Sequence, residues 1–78
     1  MPTVLRIEGF RLFFFSNERQ EPSHIHVEAG GRHAKFWLEP VELAQSVGFS
    51  SPELTRLRDL VVMNEGFLKE RWDEFFNR

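Results

Sequence analysis

Cysteine is missing from this chain, so no disulfide and no thiolate metal site can supply stability. That absence suits a reducing cytosol. No apolar run approaches the ~20 residues a membrane-spanning helix needs, and the start, MPTVLRIEGF, lacks the long apolar stretch of a signal peptide. A cytoplasmic protein with no membrane partner is the expectation. A strong excess of basic charge is missing too: the net charge is −2, which excludes a nucleic-acid binder working on bulk charge, although a local basic patch can still serve. There is no internal repeat, no low-complexity tract and no linker, so residues 1–78 read as one domain. At 78 residues it lies near the lower size for burying a core without staples. Nine phenylalanines and two tryptophans provide the apolar mass for one.

The charge that is present is unevenly spread. Residues 1–38 carry five Lys/Arg against four Asp/Glu and hold all three histidines, whereas residues 39–78 carry five against eight. The histidines fall within EPSHIHVEAGGRHAKFWLEP, from Glu21 to Pro40. Gly30-Gly31 at its centre is the pair a two-residue type I′ turn requires, because both central positions want φ > 0. Such a turn sets Ala29 against Arg32, Glu28 against His33, Val27 against Ala34, His26 against Lys35, Ile25 against Phe36 and His24 against Trp37. Side chains alternate along a strand. Ile25, Val27, Ala34, Phe36 and Leu38 therefore share one face, and His24, His26, Glu28, His33, Lys35 and Trp37 share the other.

Thr3 to Ser16 reads as an earlier hairpin turning at Glu8-Gly9. It places Leu5, Ile7, Phe10, Leu12 and Phe14 on one face and Val4, Arg6, Arg11, Phe13 and Phe15 on the other. SNERQEPS, residues 16–23, is a polar surface connection. VELAQSV, Val41 to Val47, follows a proline and precedes Gly48, which is compatible with one or two turns of helix. A long amphipathic helix comes last. Ser51 before Pro52 and Glu53 is its expected N-cap, and Leu54, Leu57, Leu60/Val61, Phe67/Leu68, Trp72 and Phe75/Phe76 recur near the 3.6 period. Unbroken from Pro52 to Asn77 it would measure about 39 Å at ~1.5 Å per residue, longer than so small a domain needs. Either it breaks near Asn64-Glu65-Gly66 or its end overhangs onto a partner.

The expected fold class is α+β: an antiparallel sheet of two β-hairpins, with a short helix and a long C-terminal helix on one face. The opposite face then lacks cover in this chain and presents Arg6, Arg11, Phe13, Phe15, His24, His26, Glu28, His33, Lys35 and Trp37. Three chemistries fit that face. His24 and His26, roughly 6.8 Å apart at ~3.4 Å per residue, or more easily His26, Glu28 and His33, suit a divalent metal and metal-dependent hydrolysis. His26 or His33 as general acid or base, with Glu28 orienting it and Lys35 or Arg11 stabilising developing negative charge, suits metal-independent RNA cleavage. Arg6, Arg11, Phe13, Phe15, His24 and Trp37, cations interleaved with aromatics, suit single-stranded RNA or a partner protein. The plainer alternative is a polar surface beside an interface, since an exposed aromatic row is usually buried against another chain. That chain is a cognate protein or a second copy.

The opening MPTVLRI, the FFFSNE segment, EPSHIHVE, AKFWLEPVELA and the terminal pattern of Leu57, Phe67, Leu68 and Trp72 resemble a small bacterial and archaeal domain-of-unknown-function family over nearly the whole chain. The resemblance implies a gene often placed beside a second small uncharacterised domain, the two forming a toxin–antitoxin pair in which this type is the toxin. It implies no catalytic residue. The expected function is therefore a small toxin acting through the histidine-bearing sheet face, on RNA or translation, with a cognate antitoxin as partner. A non-enzymatic interaction module is the competing expectation, and a metal-dependent hydrolase the third.

Overall fold

A computed structural model describes residues 3–15 and 20–76. Five strands, β1 (Thr3–Ile7), β2 (Phe10–Phe13), β3 (His24–Ala29), β4 (Arg32–Leu38) and β5 (Val41–Val47), precede two helices, α1 (Ser51–Met63) and α2 (Glu65–Phe76). The strands form one antiparallel meander in the order β1-β2-β3-β4-β5. The α+β class thus holds. Gly30 and Gly31 adopt φ of 55° and 80°, both positive as a type I′ turn demands, and the β3–β4 pairs run from Ala29↔Arg32 to His24↔Trp37 as the turn dictates.

Val41–Val47 is a strand and not the expected short helix. A seven-residue helix costs nearly as much to nucleate as it returns. The alternative lies ready: Glu39-Pro40 closes a two-residue turn that brings Val41 opposite Leu38, so β5 fills the vacant edge of β4. The pairing slips once between Lys35 and Phe36, where β5 carries an extra residue, Ala44. The sheet therefore has three hairpins. Val4 also departs from expectation: a register shift between Thr3 and Leu5 turns it toward the core instead of the open face.

The helices cover one face. Leu57 and Val61 of α1 and Leu68, Trp72 and Phe76 of α2 meet Leu12, Phe14, Ile25, Val27, Ala34, Phe36 and Leu38 from the sheet, all buried, with Leu5, Ile7 and Phe10 half-buried against them. Phe14 sits among Trp72, Phe75 and Phe76, with ring centroids 5.4, 5.1 and 5.5 Å away. The helix starts one residue earlier than expected, with Ser50 and not Ser51 as N-cap. Glu53 N donates to Ser50 Oγ (3.3 Å) and Ser50 N donates to Glu53 Oε1 (2.9 Å), a reciprocal capping box. Ser50 succeeds because Glu53 then falls at the third helical position, where its carboxylate reaches back. The break at Asn64 is present: its backbone N–H and its Nδ2 both donate to Leu60 O, while Leu68 N donates to Asn64 O. One residue ends α1 and begins α2, and the two shorter helices keep to the sheet.

Arg32, beside the hairpin turn, pairs with Glu53 and stacks over Phe49 at 5.1 Å. Gly48 (φ 89°) leaves it room, since a Cβ there would lie 2.8 Å from Arg32 Cγ. Arg56 of α1 likewise pairs with Glu8 in the first turn.

A carboxylate at Val27 or Phe36 would be buried without a partner, costing several kcal/mol out of the ~5–15 kcal/mol that holds a domain. Val27→Asp and Phe36→Asp are therefore expected to abolish the cooperative thermal transition in circular dichroism. Gln45→Asp, on an exposed position of β5, is expected to stay within ~0.5 kcal/mol of the parent.

Acid sensitivity has a defined origin. The backbone N–H of Ser50, then the Arg32 guanidinium, hold the Glu53 carboxyl below its usual range, and a hydrogen bond from Arg56 does the same for Glu8. A group whose folded pKa is depressed stabilises the fold above its ordinary pKa, and that contribution fades as pH falls through the lowered value. Between pH 5 and pH 2, Glu53→Gln combined with Glu8→Gln should therefore flatten the fall in Tm that the parent shows. Parallel curves for the two proteins would contradict this assignment.

Candidate functional site on the open sheet face

Cross-strand pairing arranges the open face in rows. Arg6, Arg11, Glu28, His33 and Val47 form one, running from β1 to β5. Phe13, His26, Lys35 and Gln45 form the next, from β2 to β5. Between these rows opens a cavity of about 380 Å³ lined by Phe13, Phe15, His26, Glu28, His33 and Gln45. Five of the six were expected on this face. Gln45 was missed because its segment reads as helix by composition, although Gln45 and Val47 do obey the two-residue alternation of a strand.

The aromatic groups build the cavity wall. His26 stacks on Phe13 (centroids 5.5 Å apart, planes at 24°) and meets Phe15 edge-on at 4.8 Å, while Phe13 and Phe15 lie perpendicular at 5.4 Å. Phe13 is only 6% exposed, packed by Arg11, His26 and Phe15 on the face opposite the helices. Phe15 stands 38% exposed at the rim.

Arg11 and Lys35, the described cations that neighbour the lining residues in these rows, are both engaged within the chain. Arg11 lies over the Phe13 ring at 4.3 Å, donates from Nε to Thr3 Oγ1 (2.8 Å) and pairs through Nη1 with Glu28 Oε1 at 3.1 Å. Lys35, between His26 and Gln45 in its row, turns away along the sheet: its Nζ bonds Glu21 Oε1 at 2.7 Å and sits 4.5 Å from the Trp37 ring centre. Lys35 is thus on the expected face but does not line the cavity, and neither does Trp37. Glu21 as its partner was not foreseen, since the residue belongs to the connection before β3. Arg6 is exposed on β1, beyond Arg11.

His24 is the main departure. Strand alternation places it with His26, yet it is 0% exposed. Pairing between β2 and β3 stops at His26, so no strand residue flanks His24 on that side. Its ring packs 4.8 Å from Trp72 of α2 while remaining 5.1 Å from His26 and 5.6 Å from Trp37. Its Nδ1 lies 2.9 Å from Pro22 O. A carbonyl only accepts, so Nδ1 carries the proton. His24 is therefore a structural joint between the faces and not a surface ligand.

Among the described residues no group of three or more His, Asp or Glu side chains is placed to hold one metal ion. His26, Glu28 and His33 share a cavity wall without converging on a point. As general acid–base groups, His26 is held by aromatic packing and Glu28 by Arg11, while His33 is exposed on β4.

Comparison with known families places the chain. The model of the family described as Domain of unknown function (DUF4160) matches residues 9–73. The chain belongs to that family. No curated protein and no solved structure matches it.

The burial of His24 separates it sharply from His33. His24→Ala removes a packed, hydrogen-bonded ring from beneath Trp72 and should cost about 2–4 kcal/mol. His33→Ala should cost no more than ~0.5 kcal/mol. Chemical denaturation of the two variants checks the pair of values, and equal losses would contradict the placement of His24.

Proposed function

We propose that this chain is the toxin component of a toxin–antitoxin pair in the cytoplasm. Its open sheet face is the working surface, and the cognate small protein covers that face in the inactive complex. The observation that carries the reading is the cavity of Phe13, Phe15, His26, Glu28, His33 and Gln45 on the face opposite the helices. An aromatic-rimmed recess among titratable groups is a surface made to be covered. The family resemblance through EPSHIHVE and AKFWLEPVELA supplies the pairing with a second protein. RNA or the translation apparatus is the target class, with His33 as an exposed proton carrier.

A second reading has its own support. Arg11 and Lys35 are both tied to carboxylates, at 3.1 and 2.7 Å, instead of being held open toward a phosphate. Cations so engaged favour a non-enzymatic interaction module, whose aromatic recess docks a partner or a second copy and catalyses nothing.

Expression of the chain alone, and then together with the neighbouring gene, tests these readings. The toxin reading predicts growth arrest by soluble protein, relieved by co-expression. Phe15→Ala and His33→Ala should weaken the arrest while the Tm stays close to that of the parent. Loss at His33 alone with partner binding kept indicates proton transfer, and graded loss over both positions indicates a binding surface. Full growth with soluble parent protein contradicts the toxin reading, and insolubility relieved by co-expression identifies the interaction module.

A further inference from the structure

The bend between α1 and α2 is carried by one residue. Asn64, at φ −112° and ψ 13°, departs from the helical angles of about −63° and −42°, yet the hydrogen-bond ladder runs through it. Asn64 N donates to Leu60 O at 3.1 Å and Leu68 N donates to Asn64 O at 2.9 Å, both with the four-residue reach of an α-helix. The usual local stops are missing: Glu65, not glycine or proline, follows Asn64, and no basic side chain stands in the last turn of α1. The local mark of the bend is the bond from Asn64 Nδ2 to Leu60 O, 2.8 Å. What otherwise holds it is the seat of α2, where Leu68, Trp72 and Phe76 are buried against the sheet.

We propose that two copies of this chain exchange α2. In the exchanged form Asn64 takes helical angles, residues 51–76 become one helix, and α2 docks on the sheet of the second copy with the contacts it makes on its own. Such a helix is about 39 Å long at ~1.5 Å per residue, against 34 Å for the greatest extent of the folded chain. With α1 still seated, its end projects past its own sheet. The occupant is a second copy, because the vacated seat is already shaped to Leu68, Trp72 and Phe76 of this same sequence. Reciprocal exchange closes a two-fold dimer and does not propagate. A connection as short as one residue invites it. The exposed apolar side chains fall where the exchange would use them: Met63 and Phe67 flank the bend and stand 73% and 45% exposed in the single chain. Four residues apart, they share one face of a straight helix. Where the two long helices pass each other at the two-fold axis, that face is covered by its counterpart. The exchange involves the helix layer alone and leaves both open sheet faces free.

The chain has no cysteine, so two introduced thiols report which copy supplies α2. Lys69 of α2 pairs with Glu39 in the β4–β5 turn at 3.2 Å, and Glu39→Cys with Lys69→Cys sets the thiols on either side of the seat, both within reach of solvent. This double variant is refolded at micromolar and at millimolar concentration, separated by size exclusion with light scattering, bridged with a short bis-maleimide and run on a denaturing gel. The dimer fraction should be linked between chains, and the monomer fraction within one chain. Asn64→Ala removes the Nδ2 bond and should lower the dimer dissociation constant about tenfold, since each of two copies gains a better helix former at the bend. Two glycines inserted after Asn64 give α2 the slack to fold back, so they should abolish the dimer while the Tm of the monomer stays close to that of the parent. No dimer at millimolar concentration with or without Asn64→Ala, a dimer linked only within chains, or a dimer that survives the glycine insertion would each overturn the proposal.

Discussion

The pairing of β3 with β4 is the constraint on which the rest depends. Gly30 and Gly31 fix it by taking positive φ at both turn positions, and a slip of one residue would send every side chain to the opposite face. In the observed register Ile25, Val27, Ala34 and Phe36 are buried under the helices, while His26, Glu28 and His33 are delivered to the open side. Core and cavity are two outcomes of one alternation. The Arg32–Glu53 ion pair ties the turn to the capped start of α1, so the element that sets the register also anchors the layer that covers it.

The open face is ordered by its own chemistry. Phe13 is buried on the face opposite the helices, because Arg11, His26 and Phe15 pack around it. Charge is balanced locally across the strands: Glu28 on β3 meets Arg11 on β2, and Lys35 on β4 reaches Glu21 before β3. Such exposed or half-exposed pairs contribute little to stability, typically ~0–1 kcal/mol. Their main effect is on the character of the surface, where both Arg11 and Lys35 are matched by a carboxylate of the same chain. His24 closes the far end of this face by turning to Trp72, which joins the open side to the core at one residue.

The α+β class, the Gly30-Gly31 register and the two faces of β2 to β4 were legible in the sequence because each rests on a local signal with one strong physical reading, and the break at Asn64 was one of two readings of a helix too long for so small a domain. What the sequence hid was decided by tertiary neighbours. VELAQSV carries no strong preference, and only the free edge of β4 makes it a strand. Ser50 and Ser51 are equal as caps by type, and the reach of Glu53 chooses between them. His24 obeys the same alternation as His26, and its burial depends on where β2 stops pairing. Lys35 lies on the expected face, but its amine is drawn out of the cavity by Glu21 and Trp37. Residue placement was thus readable, whereas side-chain direction at the ends and margins of the sheet was not.

Register is therefore the quantity to measure most directly. In a two-residue hairpin the pairs alternate between hydrogen-bonded and non-hydrogen-bonded, and only the latter bring Cα atoms within about 4.5 Å. With Ala29 and Arg32 closing the turn, strong Hα–Hα nuclear Overhauser effects are expected between Glu28 and His33, between His26 and Lys35, and between His24 and Trp37. Effects displaced by one residue, such as Glu28 with Ala34 or His26 with Phe36, would contradict the division of this sheet into a buried face and an open face.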